Sequence, residues 1–255
     1  MDPAPRIYLY NACAHALSGE FLRPVKNLLE VQAASALPTI GGHGSARVEN
    51  FRFGELVTFK AGYTHVSGSW DEANKSHTTL ATSTVEGMNI LDVVTADRVV
   101  ARVAGHHREP DEESRIIVIG SRFENLRIAG CKVEVEFHHE LFQKLDTFQA
   151  LKNEFATNPE FRKMTADPFQ TGVPQKAPEG CGVFLCSIVK AMTACPGIKQ
   201  VGHAYVVPKF GKVYIGELAV QHSKKTLTML RVEMGSPTSG SGSVVTAMTN
   251  GVPWP

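Results

Sequence analysis

The chain has no excess of either charge: its 255 residues carry 26 Lys and Arg against 25 Asp and Glu, a formal net charge of +1. Proteins that bind nucleic acid through its phosphates need clustered basic residues, so this balance argues against a nucleic-acid partner. The chain also lacks any apolar run near the roughly 20 residues that a membrane-spanning helix requires. We therefore expect neither nucleic-acid binding nor a membrane span.

An export signal is not evident in the sequence. Residues 1–6 are acidic and proline-rich, whereas a signal peptide begins with a basic segment that leads into an apolar run. The apolar stretch that follows is interrupted by Asn11 and His15. The default expectation is a cytoplasmic protein.

Cysteine is scarce, and no two cysteines have Cys-x-x-Cys spacing; the five are Cys13, Cys131, Cys181, Cys186 and Cys195. A zinc site built from the last three together with His203 can be pictured, but the gaps match no established zinc pattern. We therefore expect small buried thiols in a reducing compartment. No metal and no other cofactor is predicted.

The sequence also lacks the common catalytic and nucleotide-binding motifs. It contains no GxGxxG after a strand, no GxxxxGK[ST], no HExxH and no GxSxG. These absences favour a protein that is not an enzyme.

A short segment does recur three times in the first half of the chain. The copies are residues 48–53 (VENFRF), 85–90 (VEGMNI) and 123–128 (FENLRI), so their starts are 37 and 38 residues apart. In each copy a Glu is followed by Asn or Gly, and the alternation of apolar and polar residues slips by one at that pair. Asn and Gly tolerate positive φ, so we predict a strand, a β-bulge and a second strand in each copy.

Each copy is followed by a predicted tight turn and a further strand. The turns are expected at Gly54-Glu55, Leu91-Asp92 and Ala129-Gly130. A lone unit of this kind could not bury its apolar face, so three copies predict a repeat-built β structure.

The rest of the chain also favours sheet. Alternating residues predict strands at 7–17, 205–207, 212–220, 226–234 and 244–248, with loops at 38–44 and 235–243. The predicted fold class is all-β, either a repeat-built sandwich or a solenoid-like structure, because both give short alternating strands.

One segment departs from this pattern. Apolar residues from Leu141 to Phe155 follow helical spacing, which predicts a helical insertion around residues 139–164. Asp146 and Gln149 are expected to form a capping box, and Asn158-Pro159 is expected to end the helix. A second helix is predicted over 185–192, with a strand as the alternative.

Composition suggests one boundary along the chain. Residues 165–180 mix proline and glycine and are predicted to be a linker. It would separate a repeat-built β domain with its helical insertion (1–164) from a C-terminal β segment (181–255) that packs on the same core.

The repeated acids Glu49, Glu86 and Glu124 are the sharpest candidate for a binding site. If the units stack, these carboxylates form a row that would hold a cation or sugar hydroxyls, or supply a glycosidase pair. The alternative is a structural role at each bulge. Repetition favours that alternative, because acid–base catalysis needs two unlike environments.

Two further side chains are candidates for binding. His43 lies between glycines and titrates near neutral pH, so it would serve as a general acid or base. Trp70 stands in a polar stretch and would mark a binding surface or plug the rim of the core. His106 and His107 adjoin a charged stretch and are expected in a solvated loop.

Residues 79–101 resemble a signature of bacterial choice-of-anchor surface domains of the P type, on the segment Val94-Thr95-Ala96-Asp97. Residues 12–19 and 230–247 are similar to outer strands of that family, and residues 45–53 (SARVENFRF) are similar to a group of uncharacterised bacterial proteins. The resemblance implies a β-rich bacterial domain without known enzymatic activity, often exported and attached to the cell surface. The family supplies no functional residues.

The sequence thus predicts a non-enzymatic structural or interaction protein that associates with itself as a homo-oligomer. Unpaired strand edges in repeat structures are templates for such pairing. The alternative is a β protein that binds a carbohydrate or small molecule, extending to a carboxylate-dependent hydrolase or cyclase. Grouping of the candidate acids with aromatics in one pocket would favour the alternative.

Overall fold

The computed structural model describes residues 8–24, 26–109, 111, 113–166, 184–222, 224–235 and 238–253. Across these residues the chain has an all-β fold, as predicted. Two antiparallel sheets enclose a shared apolar core. Because the sheets pack face to face, the fold is a sandwich and not a solenoid.

The first sheet, called sheet A, brings together both ends of the described chain. Its strands are β1 (Tyr8–Arg23), β2 (Asn27–Gln32), β3 (Ser35–Ala36), β13 (Phe184–Ser187), β15 (Lys199–Val201), β16 (Ala204–Val207), β17 (Gly211–Val220), β18 (Lys224–Met234) and β19 (Ser239–Pro253). The order is β15-β16-β17-β18-β19-β1-β2, with β13 beside β17 and β3 beside β1. The first long strand therefore pairs with the last one.

The second sheet, sheet B, is a meander built from the middle of the chain. Its strands are β4 (Gly42–Phe53), β5 (Val57–Asp71), β6 (Ser76–Ile90), β7 (Val94–Arg108), β8 (Arg115–Ile117), β9 (Arg122–Glu124), β10 (Arg127–Ile128) and β11 (Cys131–Lys132). The order is β11-β10-β7-β6-β5-β4, with β8 and β9 also beside β7. A separate pair is formed by β12 (Val135–Phe137) and β14 (Val189–Met192).

Small residues on β1 allow the two sheets to approach closely. Ala12, Ala14 and Ala16 are almost fully buried. A Cβ added at Gly62 of β5 would lie only 2.9 Å from the Cβ of Ala16. Interiors are packed to crystal-like density, so neither position leaves space for a larger side chain.

The helical insertion is confirmed. It consists of α1 (His139–Lys144), α2 (Phe148–Thr157) and α3 (Pro159–Ala166). The predicted capping box is wrong, because the N-cap of α2 is Thr147, whose hydroxyl accepts from Ala150 N at 3.1 Å. No helix among these described residues is long and apolar enough to cross a membrane.

The three similar segments lie in β4, in β6 and across β9 and β10, and each has positive φ after its Glu. The values are +52° at Asn50, +63° at Gly87 and +51° at Asn125. The predicted bulge differs in one respect: pairing with the neighbouring strands keeps one register on both sides of the kink. The kink inserts no extra residue into either strand. The alternation of inward-facing and outward-facing side chains changes at paired positions in adjacent strands, so the pairing register is kept.

Three other expectations are corrected. Residues 185–192 form parts of β13 and β14, so the strand alternative is right and the helix is wrong. Residues 42–44 and 239–243 belong to long strands where loops were predicted. Of the predicted linker 165–180, residues 167–180 lie outside the described residues.

The expectation of free thiols is wrong for two of the five cysteines. Cys131 and Cys195 form a disulfide across 64 positions of sequence, which joins the edge of sheet B to the loop after β14. Cys13 and Cys186 are free. Spacing alone did not reveal this pair, because the two cysteines meet only through the tertiary fold.

Candidate functional site

The three candidate glutamates lie in one row across sheet B. Cross-strand pairing runs from Glu49 to Ala61, Glu86, Arg98 and Glu124 in turn. Neighbouring strands are about 4.8 Å apart, so successive glutamates have their backbones about 10 Å apart. The row that the repeat suggested therefore exists, with an arginine inside it.

Every carboxylate in this row is already bound by an arginine. Arg47 Nε donates to Glu49 Oε1 at 2.8 Å, and Arg122 Nε donates to Glu124 Oε1 at 2.9 Å. Glu86 accepts from the Tyr63 hydroxyl at 3.1 Å and lies 3.6 Å from Arg98 Nε. The row is a ladder of partly exposed ion pairs, and its charges compensate one another.

His43 and Trp70 are not part of that row. His43 is exposed in β4, opposite Ser67 of β5. Trp70 is 39% exposed and donates from Nε1 to Glu72 Oε2 at 2.8 Å. The structure therefore does not bring the five candidate residues into one pocket.

Trp70 instead borders an aromatic cluster at the end of the sandwich where β1 begins, which we call the polar end. The His77 ring stacks on Tyr8 with centroids 4.0 Å apart and lies 4.4 Å from the Trp70 ring. The Tyr10 hydroxyl is 2.7 Å from His77 Nδ1. Burial raises the pKa of Tyr8 to about 12 and lowers the pKa of His77, so in both rings it favours the neutral form.

Charged and hydroxyl-bearing side chains are buried beside this cluster. Lys225 is fully buried, and its Nζ donates to Ser114 Oγ. Burial lowers the pKa of Lys225 to about 8, against an opposing effect of Glu113. His107 is only 4% exposed, which corrects its predicted place in a solvated loop. Burial lowers its pKa as well.

The opposite end of the sandwich, which we call the apolar end, is open. A cleft of about 320 Å³ is lined mainly by apolar side chains from four connections between strands; its walls are Leu91, Val93, Ala129, Val207, Pro208, Lys209, Phe210, Met234 and Thr238. Met234 also lines a narrower cavity between the sheets. Lys209 is the charged residue among these walls.

Three residues of this cleft have left-handed backbones. The φ angles are +51° at Leu91, +47° at Ala129 and +60° at Lys209. Such conformations are unfavourable for residues other than glycine, and they are found at tight turns and at functional sites. The turns at 91–92 and 129–130 were predicted from sequence, but the cleft between them was not.

The outer face of sheet A carries a charge cluster in which one arginine binds two glutamates. Arg231 binds Glu217 through two nitrogens at 2.6 and 2.8 Å and also binds Glu233. Its guanidinium carbon lies 3.6 Å from the centroid of the Tyr214 ring. Because one guanidinium on β18 binds a carboxylate of β17 as well as one of its own strand, this cluster joins β17 to β18.

The two outermost strands of the sandwich on the β1 side differ sharply. β2 ends sheet A and exposes Leu28 (70%) and Val31 (54%). β4 ends sheet B and presents Arg47, Glu49 and Arg52 to solvent. Charged side chains and local kinks protect an edge from pairing. β4 has three charged residues and the kink at Asn50, whereas β2 has one acid, Glu30, one register irregularity against β1, and exposed apolar side chains. β4 is therefore the more guarded edge and β2 the more open one.

Together these features define an antiparallel β-sandwich with an open apolar cleft, a more guarded edge and a more open one. Within the described residues, no three His, Cys, Asp or Glu side chains are grouped to hold a metal ion. A family model for a domain of unknown function, DUF8256, matches residues 8–221, and the chain belongs to that family. No curated protein and no solved structure matches the chain. These comparisons show no link to the choice-of-anchor domains.

Proposed function

We propose that the chain is a non-enzymatic scaffold that associates with a second copy of itself through β2. The observation that carries the proposal is the open edge of sheet A, with its exposed Leu28 and Val31. An edge strand offers unpaired N–H and C=O groups, and two identical edges can pair in antiparallel orientation about a twofold axis. Such pairing would continue sheet A from one copy into the next.

The sequence of β2 supports this role. Residues 27–32 read NLLEVQ, so Glu30 is the one charged residue of this strand, and Lys, Arg and Pro are absent from it. Leu22, at the end of the neighbouring strand β1, is 49% exposed and extends the apolar surface. The ion-pair ladder on sheet B supports a scaffold over a catalyst, because each of its carboxylates is already neutralised.

The equivalent kinks at Asn50, Gly87 and Asn125 support an origin of sheet B from three repeated units. The Cys131–Cys195 disulfide supports an oxidising location over the cytoplasm, since disulfides persist mainly outside reducing compartments. A place on a bacterial cell surface, as the resemblance implies, agrees with that chemistry.

Light scattering coupled to size exclusion tests the association. We expect the wild-type chain to form a dimer or larger assembly at micromolar concentration, and Leu28→Lys to shift it to monomer. Ile40→Lys is the matched control, because Ile40 is 90% exposed in a turn outside the edge strand and should leave the assembly unchanged. A wild-type monomer, or an assembly that Leu28→Lys leaves intact, would contradict the proposal.

A second candidate function, binding of a small apolar molecule, is favoured by the cleft at the apolar end. Its volume lies within the range of ligand sites, and Lys209 would face an anionic head group. Its walls suit an acyl chain better than a carbohydrate.

A fluorescent polyene fatty acid tests this candidate. We expect saturable fluorescence enhancement that Thr238→Trp reduces, because the added ring would fill the cleft. Thr157→Trp, an exposed position on α2, is the control and should leave binding unchanged. Equal titration curves for all three proteins would exclude the cleft as the site.

A further inference from the structure

Two opposite charges flank the exposed leucine of the β2 edge at equal distances along the chain. Lys26 lies two positions before Leu28, Glu30 lies two positions after it, and all three are exposed. Side chains alternate between the faces of a strand, and Leu29 is buried, so Leu28 and Glu30 share the outer face of sheet A. The same spacing puts Lys26 on that face. Among the described residues, neither Lys26 nor Glu30 has an ion-pair partner.

This spacing makes the edge complementary to a second copy of itself. When two identical strands pair antiparallel about a twofold axis, the numbers of opposed residues have a constant sum. An axis beside Leu28 opposes that residue to its own copy and opposes Lys26 to Glu30 of the second copy, once on each side. An axis beside Glu30 would bring two carboxylates together, and like charges directly opposite each other are destabilising. Opposition of the lysine to the glutamate occurs in the first register alone.

The backbone of β2 is regular where that axis would pass. Residues 27–29 pair with β1 one for one, and the register irregularity falls beyond Leu29. At the irregular end, the Glu30 carbonyl accepts from Gln32 Nε2 at 2.8 Å. A carbonyl oxygen has two lone pairs, so this contact leaves it able to accept from a second strand as well.

We propose that two copies of the chain pair β2 against β2 in the register that opposes Leu28 to Leu28 and Lys26 to Glu30. This register rests on the association through β2 proposed above. The two leucines would have Cβ atoms about 5 Å apart, with an ion pair on either side of them. The carboxylates of the ladder on sheet B are neutralised within the chain, whereas these two charges are complementary between copies. The edge would therefore select a second copy over an unrelated strand.

Disulfide trapping measures the register. In a Cys13→Ser background, which removes a half-buried free thiol, Leu28→Cys would bring two Cα atoms to about 4.5–5.5 Å, a separation that a disulfide spans. Val31→Cys is the control, because Val31 is 54% exposed but its two copies would lie about 20 Å apart. With oxidised glutathione we expect Leu28→Cys to form the covalent dimer at least about tenfold faster than Val31→Cys.

Charge reversal tests the two ion pairs. Lys26→Glu alone, or Glu30→Lys alone, puts like charges opposite each other twice per dimer, so we expect each to raise the dimer dissociation constant roughly tenfold. The double variant restores opposite charges and should return to within about threefold of the wild type. Lys152→Glu, at an exposed position on α2, is the control and should leave the constant unchanged. Sedimentation equilibrium gives all five values.

Failure of the register and failure of the association give different results. A wild-type chain that is monomeric in light scattering would overturn both. If Leu28→Lys disrupts a wild-type dimer but Leu28→Cys and Val31→Cys cross-link at equal rates, the register is wrong and the association stands. A double charge variant that is as weak as either single variant would overturn the register in the same way.

Discussion

The two ends of the sandwich close the space between the sheets in opposite ways. At the polar end, aromatic rings and hydroxyls surround a fully buried lysine. At the apolar end, turns with left-handed residues leave a cleft, and the Cys131–Cys195 disulfide lies beside one of these turns. One end therefore contains a buried charge that lowers stability, whereas the other contains strained backbone and is held by a covalent link.

The disulfide should have the largest effect on stability. Closing a loop of 64 residues stabilises a fold by about 4 kcal/mol in the chain-entropy description. We expect Cys131→Ser with Cys195→Ser to lower the free energy of unfolding by that amount in urea titrations. Cys13→Ser, at a free cysteine, is the control and should change little. If the double variant and the wild type are equally stable, the disulfide does not stabilise the apolar end.

The buried lysine should give the next largest effect, and it depends on pH. The pKa of Lys225 is about 8 in the folded chain against 10.5 ordinarily, so the unfolded chain binds more protons between these values. Stability should therefore rise as pH increases from about 8 to 10.5, and the full penalty of about 3 kcal/mol applies below pH 8.

Lys225→Met should consequently stabilise the chain by about 3 kcal/mol at pH 7, less any loss of packing. The difference in unfolding free energy between Lys225→Met and the wild type should become smaller above pH 8. Glu113 and His107, the titratable neighbours of Lys225, are present in both proteins. Urea titrations at pH 7 and pH 10 measure both values. A constant difference between the two pH values would show that the amine is not held in an unfavourable charged state.

Backbone strain at the apolar end should give the smallest effect. Ala129 is exposed and has a φ of +47°. Ala129→Gly removes a backbone strain of about 1 kcal/mol. The greater flexibility of glycine in the unfolded chain offsets part of that gain. We expect a net stabilisation below about 1 kcal/mol. Ala191→Gly in β14 is the matched control and should destabilise by about 0.5–1 kcal/mol. Destabilisation by both variants would show that the turn is unstrained.

Much of the fold was predictable because it is encoded locally. The strand alternation in 212–220 and 226–234, the helical spacing after Leu141 and the turn at Leu91-Asp92 are set by residues close in sequence. The positive φ at Asn50 was predictable for the same reason. His107 was misplaced because charged neighbours suggested a loop, whereas pairing with His77 extends β7 to Arg108.

The candidate site was predictable only in part. The glutamate row follows from a repeat, so its alignment across sheet B could be anticipated. The partners of these carboxylates could not all be read from spacing: Arg47 is two positions from Glu49, but Arg98 reaches Glu86 only through strand pairing. Lys225 and Ser114 carry no motif, because their contact depends on how the two sheets face each other.

Side-chain alternation and backbone preference act within a few residues, so an all-β chain with a helical insertion and kinks at fixed positions follows from the order of the amino acids. Which cysteines join, which edge is more open and which lysine is buried follow from the way the strands pack in three dimensions. Those outcomes depend on contacts between residues more than 60 positions apart, whose partners no local pattern specifies.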